Sequence, residues 1–280
     1  MDLPDDIRDI AFRELNETQA TRDISIERLK KLLENEVKSG LKCPTDAAFL
    51  LKFLRARKFD VDRAFVLLKN YYGYRSKHKK IYQDLLPSAL RGNLAYNYQT
   101  VLPGRDREGR AILIVKSGLW NPYACKSEDI FRANVLCLEQ AILDPVTQVT
   151  GIVAIMDMKG FGFTHVRFCP PSNLQKVVSL IQDCFPARFK AIHIVNEPAI
   201  FSMMFGIVRR LLNEKLQQRI HFHGCDMSSL HQFIPAEILP EEYGGFNGPM
   251  DNTDFVARLY RNDELFKKDA EYGYKLRVKG

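Results

Sequence analysis

Four short apolar runs in the second half of the chain constrain its fold more than any other feature. They lie at residues 111–115, 151–156, 191–195 and 220–223. The first three are nearly continuous rather than alternating, which is typical of strands covered on both faces. Between the runs, apolar residues recur at helical spacing over residues 127–143, 170–183 and 198–217. Strands that alternate with helices require crossover connections, so the sequence predicts an α/β fold with a mainly parallel sheet and flanking helices.

The first hundred residues carry helical patterns. Asp46 is placed to cap one helix, and Asp60 is placed to open the next, while an earlier helix is predicted over 24–37. The change of pattern near residue 95 predicts a helical N-terminal lobe at 1–95, followed by an α/β domain at 96–280.

Composition places the chain among intracellular globular proteins. Apolar residues make up 46% of the 280 residues, which is enough to bury a substantial core. The six cysteines are scattered without any Cys-x-x-Cys pair, as expected for reduced thiols. The acidic N-terminus lacks the basic and apolar regions of a secretory signal, and the apolar segments fall short of the roughly 18 residues of a membrane span. A cytoplasmic location is therefore expected.

Positive charge is concentrated in two segments of the chain. The net charge is +7, but 52–80 carries ten basic and two acidic residues, and 185–222 carries six and two. Such concentration favours a polyanionic partner, either nucleic acid or an anionic membrane. The basic residues do not follow a nucleic-acid-binding motif, so a membrane surface is the expected partner and nucleic acid is not.

The motifs of the common α/β enzymes are missing. The segment after Val115 fits neither phosphate-binding loop, and no G-x-S-x-G elbow occurs. A metal site can be imagined from His193, His221 and His223, but the pattern favours histidines bonded to backbone or carboxylates. Asp157 ends a predicted strand, where it either serves catalysis or bonds the turn that follows. We expect no catalytic residue, no metal and no cofactor.

The helix predicted after Asn196-Glu-Pro198 is unusually apolar. One stripe contains Ile200, Met204, Ile207 and Leu211, and the neighbouring stripe contains Phe201, Phe205, Val208 and Leu212. A core helix has this pattern, and so does a gate that closes over a ligand or enters a lipid interface. The pattern alone leaves both interpretations open.

Four ordered motifs resemble the CRAL-TRIO family of lipid-transfer proteins, within the branch that holds alpha-tocopherol transfer protein, retinaldehyde-binding protein and the clavesins. The motifs span Phe49–Asp60, Asp183–Pro198, Glu214–Gly224 and Ile238–Gly245. The resemblance covers nearly the whole chain. It implies a CRAL-TRIO lipid-binding domain with one apolar pocket closed by a helical gate, and a non-enzymatic carrier that moves a hydrophobic small molecule between membranes.

The resemblance also implies which residues contact ligands. The pocket positions fall on Phe131, Asn134, Leu138, Ile152, Ala154, Met156, Val177, Leu180, Ile181, Ile192, Phe201, Met204 and Ile207. The phosphoinositide-binding positions fall on Arg57, Arg188, Lys190, Lys215 and Arg219. Asn134 and Leu138 replace two small hydroxyl residues of the tocopherol pocket, which changes its volume and hydrogen bonding. The cargo therefore stays open among tocopherol, a retinoid, another isoprenoid and a phospholipid, and Asn134 is expected to decide the choice.

Two other functions remain as alternatives. A membrane-tethered adaptor that senses phosphoinositides would keep the basic residues and leave the pocket filled. A lipid-modifying α/β enzyme would require a nucleophile or a metal. As a carrier, the chain is expected to act as a monomer that attaches peripherally to phosphoinositide-containing membranes, endosomes among them.

Overall fold

The computed structural model describes residues 3–274 as a helical N-terminal part followed by a sheet flanked by helices. The helices of the first part are α1 (Asp5–Leu15), α2 (Gln19–Lys38), α3 (Ala47–Ala56), α4 (Val61–Lys77), α5 (Lys79–Tyr82) and α6 (Arg91–Leu94). The later helices are α7 (Ser127–Ala141), α8 (Pro145–Thr150), α9 (Phe163–Phe168), α10 (Pro171–Ser179), α11 (Ala199–Leu211), α12 (Glu214–Gln217), α13 (Met227–His231), α14 (Thr253–Arg261) and α15 (Asp263–Ala270).

Five strands form the central sheet. The strands of the chain are β1 (Leu41–Lys42), β2 (Gln99–Arg105), β3 (Ala111–Lys116), β4 (Ile152–Asp157), β5 (Phe189–Val195), β6 (Ile220–Phe222) and β7 (Gly273–Tyr274). The central sheet has the order β2-β3-β4-β5-β6, and β1 pairs with β7 in a small antiparallel ribbon. The strands from β3 to β6 are parallel, while β2 is an antiparallel edge strand. The predicted α/β class with a mainly parallel sheet is confirmed.

Helix caps in the first part follow the sequence signals. The Asp46 carboxylate accepts a hydrogen bond from the Phe49 amide at 3.0 Å, at the start of α3. The Asp60 carboxylate does the same for the Arg63 amide at 3.0 Å, at the start of α4. Each cap satisfies a backbone donor that has no partner inside the helix.

Alternating side chains of the sheet pack into different apolar clusters. Ile112 and Ile155 point to one face, where they meet the segments that follow β6. On the other face, Leu113 joins the main core shared with the N-terminal helices, while Ala154 and Ile192 pack beneath α11. Because strand residues alternate between faces, continuous apolar runs supply side chains to the clusters on both faces of the sheet. The domain division at residue 95 stays a prediction.

Some elements differ from the predicted pattern. α1 is not among the predicted helices, although its buried residues Ile7, Ala11 and Leu15 recur every four positions, and β2 mixes polar and apolar residues without a clear alternation. The helix predicted over 198–217 is two helices, because Asn213 caps α12 by accepting from the Leu216 amide at 2.9 Å. No helix among residues 3–274 combines the length and the hydropathy needed to cross a membrane.

Candidate functional site

An apolar cavity of about 180 Å³ lies between the sheet and the helices α7, α10 and α11. Six of the predicted pocket residues line it, namely Phe131, Asn134, Met156, Val177, Phe201 and Met204. They come from four different elements, so the fold brings together positions that are up to 73 residues apart, from 131 to 204.

The other predicted pocket residues lie outside the cavity wall. Leu138, Ile152 and Leu180 are buried in the main core. Ala154, Ile181 and Ile192 pack in the apolar cluster that contains Phe201 and Met204, one layer behind the wall. Ile207 is 45% exposed on the outer face of α11. A ligand role for each of these residues remains a prediction.

Several residues that sequence reasoning missed also line the cavity. Trp120, Phe161 and Cys169 follow the ends of strands or helices, where no periodic pattern marks them. Gln99 lies on the edge strand β2 and is 2% exposed. A polar residue at the start of a mixed strand gave no signal that its side chain faces a cavity.

The helix α11 presents different apolar residues to the inside and to the outside. Phe201 and Met204 are 4% and 9% exposed, and both face the cavity. Met203 is 70% exposed, and Ile207 and Leu211 are also exposed. The helix thus closes the cavity with one face and leaves an apolar surface on the other. Neither of the two predicted stripes corresponds residue for residue to one of these faces.

Gln182 fixes the end of α11 through two hydrogen bonds. Its side-chain amide donates to the Leu211 carbonyl at 3.2 Å and accepts from the Asn213 amide at 2.6 Å. Gln182 lies in the π-helical turn Leu180–Cys184 that follows α10. The junction of α11 and α12 is therefore held by a side chain of a different segment.

A basic groove of about 600 Å³ lies beside this junction. All five predicted phosphoinositide positions line it, and Lys58 and Arg63 are added to them. Burial, followed by the charges of Arg219 and Lys58, lowers the pKa of Lys215. The neighbouring cations of the groove thus disfavour the charged form of Lys215.

One carboxylate of the N-terminal helix enters the basic groove. Glu14 of α1 accepts hydrogen bonds from Arg188 and, at 2.8 Å, from the Lys190 ammonium. Partial burial raises the pKa of Glu14, but the hydrogen bonds from Lys190 and Arg188 outweigh it and lower the pKa to about 2. Among the residues that the structure describes, Lys215 makes no hydrogen bond or salt bridge through its ammonium group. The groove therefore holds cations that are already paired beside others, Lys215 among them, whose charged groups have no such partner within the described residues.

The comparisons with known proteins agree with this architecture. The family model described as "CRAL/TRIO domain" matches residues 96–245, and the model described as "CRAL/TRIO, N-terminal domain" matches residues 25–70. The chain belongs to the CRAL/TRIO family. Membership supports lipid binding and transfer as the general class of function.

Relatives of this CRAL/TRIO chain match over most of their length. It is 40% identical over 267 residues to the mouse "Alpha-tocopherol transfer protein-like", covering 95% of this chain and 78% of the relative. It is 36% identical over 261 residues to rat "Clavesin-2", covering 92% and 79%. A solved structure, "Crystal structure of Sfh5", shares the fold with a TM-score of 0.56 at 16% identity, over 85% of this chain and 91% of the other. The first of these names denotes transfer rather than catalysis.

The histidines and the aspartate considered from the sequence make internal contacts in this CRAL/TRIO fold. His193 Nδ1 lies 2.9 Å from His223 Nε2, and His223 Nδ1 lies 2.6 Å from Ser229 Oγ. The prediction that these histidines bond backbone or carboxylate groups is therefore wrong for His193 and His223. Their imidazoles bond each other, and His223 also bonds a hydroxyl. Asp157 accepts from the Lys159 amide at 2.9 Å, so it bonds the turn after its strand, as one of the two predictions had it.

Proposed function

We propose that the chain is an intracellular carrier that binds one hydrophobic small molecule in the apolar cavity and transfers it between membranes. Phosphoinositide binding at the basic groove promotes release or exchange of the cargo. The family supports lipid transfer in general, while the cargo, the groove's ligand and the peripheral attachment to cytoplasmic membranes are parts of the proposal.

The single observation that carries the proposal is the arrangement of α11. This helix closes an apolar cavity with Phe201 and Met204, and it exposes Met203 and Ile207 to the outside. Exposing large apolar side chains to water is unfavourable, whereas burying them in a lipid interface is favourable. A helix with both properties can exchange cavity contacts for membrane contacts when it moves.

Enclosure of the cargo follows from the cost of exposing it. Each methylene group transferred into water costs about 0.8 kcal/mol, so a lipid of roughly 30 carbons leaves a membrane only into another apolar environment. The cavity of about 180 Å³ is similar in size to an engineered cavity that binds benzene, at about 150 Å³. A longer cargo therefore requires part of the cavity wall to move outward, and we assign this movement to α11 because its outer face carries exposed apolar residues.

The charge of the groove supports a phosphoinositide ligand. Three separate segments contribute its cations, which are Arg57, Lys58, Arg63, Arg188, Lys190, Lys215 and Arg219. Arginine and lysine are the usual partners of phosphate groups, and each cation close to an anionic membrane contributes about 1 kcal/mol. The groove adjoins the end of the gate helix, so the same contact can bring the gate to a membrane.

Organic extraction of the purified protein, followed by mass spectrometry, tests the proposal. A carrier yields about one hydrophobic molecule per chain, and the delipidated protein moves that molecule between vesicles faster when the acceptor contains phosphoinositide. Recovery of no lipid, together with intact phosphoinositide binding, would favour the adaptor. Equal transfer to both kinds of vesicle would refute the role of the groove.

A further inference from the structure

Two carboxamide side chains on the cavity wall lack hydrogen-bond partners within residues 3–274. Neither Nε2 nor Oε1 of Gln99 makes a hydrogen bond, although the residue is 2% exposed. Oδ1 of Asn134 is also buried and unpaired. Buried polar groups in folded proteins are paired in the great majority of instances, so these groups call for a partner.

The two amides reach the cavity from different elements. Gln99 on β2 lies opposite Val115 on β3, and both residues line the cavity. Residues directly opposite each other in an antiparallel pair share one face, so the register itself directs Gln99 to this side of the sheet. Asn134 comes from α7, which packs against β2.

Two other polar side chains of the wall are already paired. The Trp120 indole donates to the Cys125 carbonyl at 2.8 Å. Asn173 donates to Ser127 at 3.1 Å and accepts from the Lys176 ammonium at 3.1 Å. The unmet hydrogen-bonding capacity therefore lies on the β2 and α7 side of the cavity and not along α10.

We infer that Gln99, together with Asn134, binds the polar end of the cargo, and that this end is a hydroxyl group on an otherwise apolar molecule. The inference rests on the proposed carrier function and names the class of cargo. A hydroxyl oxygen accepts from the Gln99 amide while its hydrogen is donated to Oε1 of Gln99 or to Oδ1 of Asn134. The amide offers one donor and one acceptor in either orientation, so the match does not depend on which atom is oxygen.

Other head groups leave part of this wall unpaired. An ether, an ester or an aldehyde accepts hydrogen bonds but donates none, so the side-chain oxygen Oε1 of Gln99 remains without a hydrogen bond. A carboxylate adds a buried charge and donates no hydrogen to the Gln99 carbonyl. Sites built to bond a hydroxyl reject analogues that lack it far more strongly than apolar pockets reject a changed methylene.

The single tryptophan of the chain makes the test direct, because Trp120 lines the cavity and its fluorescence reports occupancy. Delipidated wild-type protein is titrated with retinol, α-tocopherol, geranylgeraniol and cholesterol, each beside its O-methyl ether. Every alcohol that quenches Trp120 is expected to bind at least about tenfold tighter than its ether. Equal affinities within the pairs that bind would overturn the inference without any variant.

The variant Gln99→Met removes the amide while keeping the length of the side chain. The preference for alcohol over ether is expected to fall to about twofold or less, because the amide that discriminates them is gone. The matched control is Gln148→Met. Gln148 is equally buried but paired, accepting from Arg55 at 2.7 Å and donating to the Ile142 carbonyl at 2.8 Å. This control is expected to lower the melting temperature and to keep the preference.

Failure of the inference and failure of the proposed function are distinguishable. If no probe quenches Trp120, the lipid extracted from the purified protein decides: a head group that only accepts hydrogen bonds overturns the inference and leaves the carrier intact. If no lipid is extracted, the carrier function fails, and the inference fails with it. A preference that survives in Gln99→Met would assign the head group to another residue.

Discussion

Residues 199–219 contribute to both the apolar cavity and the basic groove, but the two sites differ in whether their polar side chains already have partners. In the cavity, the side-chain amide of Gln99 and the side-chain oxygen Oδ1 of Asn134 have no hydrogen-bond partner among the described residues. In the groove, Arg188 and Lys190 already bind Glu14. A ligand of the cavity can add hydrogen bonds without breaking any, whereas a phosphate that engages Arg188 or Lys190 must compete with the carboxylate of Glu14. The first site suits retention of a cargo and the second suits a short-lived contact.

Filling the cavity is expected to have the largest effect, which is a loss of cargo affinity. Val177→Trp places an indole at the rim of the cavity, where the half-exposed position tolerates a larger side chain better than a core position does. Overpacking costs about 1–3 kcal/mol, so cargo affinity should fall about 5- to 150-fold. Partitioning of the cargo between vesicles and delipidated protein measures it, since the added tryptophan obscures the Trp120 signal, and Val66→Trp on the exposed face of α4 is the control. Unchanged cargo affinity would mean that the cargo binds elsewhere.

Neutralising the groove is expected to act only at the membrane. Lys215→Ala with Arg219→Ala removes two cations worth about 1 kcal/mol each, so binding to phosphoinositide vesicles should weaken about 30-fold, and more at low salt. Vesicle co-sedimentation measures the effect. The control is Lys79→Ala with Lys80→Ala, which removes two exposed cations outside the groove. Loss of cargo affinity in solution would show that the two sites are not separate.

The outer face of the gate should matter for membranes that carry no phosphoinositide. Met203→Asp puts a carboxylate where an exposed apolar side chain would enter the interface, and transfer to neutral vesicles should fall about tenfold. Ser202→Asp, a neighbouring exposed position without an apolar side chain, is the control for added charge. Equal losses in the two variants would attribute the effect to the cost of desolvating any added charge and not to the lost apolar side chain.

Removing the carboxylate from the groove should produce a gain. Glu14→Gln leaves Arg188 and Lys190 without their anionic partner, so a phosphoinositide no longer has to displace it. Binding to phosphoinositide vesicles should strengthen about fivefold, the equivalent of about 1 kcal/mol. Weaker binding would show that Glu14 orders the groove instead of competing for it.

The smallest expected effect concerns stability in acid. The pKa of Glu14 lies at about 2 in the fold, below its ordinary value of 4.5. The ion pair therefore stabilises the fold fully above pH 4.5, and its contribution is lost as pH falls from 4.5 towards 2. Melting temperatures measured across this window should change less steeply for Glu14→Gln than for the wild type. Parallel curves would contradict the depressed pKa.

Sequence patterns predicted the sheet better than the sites. Continuous apolar runs identify β3 to β5 because both faces of these strands are covered. The edge strand β2 includes Gln99 and Pro103, so its apolar residues do not form such a run. Both stripes of α11 are apolar, and a helical wheel does not say which one faces inward; only the family resemblance places Ile207 in the pocket, and that role stays a prediction. Glu14 reaches Arg188 across 174 residues, a contact that no local pattern reveals.

Gln182 gives the two sites a common element, because it lines the groove and also holds both sides of the α11–α12 junction. A ligand that engages Gln182 competes with these two bonds. Coupling between binding events is reciprocal. If phosphoinositide binding favours opening of the gate by some factor, opening of the gate raises the affinity for phosphoinositide by the same factor. A loaded, closed carrier is then the form that dissociates from the membrane sooner, and an emptied, open one the form that stays. The residence time on each membrane would thereby affect the rate of transport, while the free-energy difference of the cargo between the two membranes sets its direction.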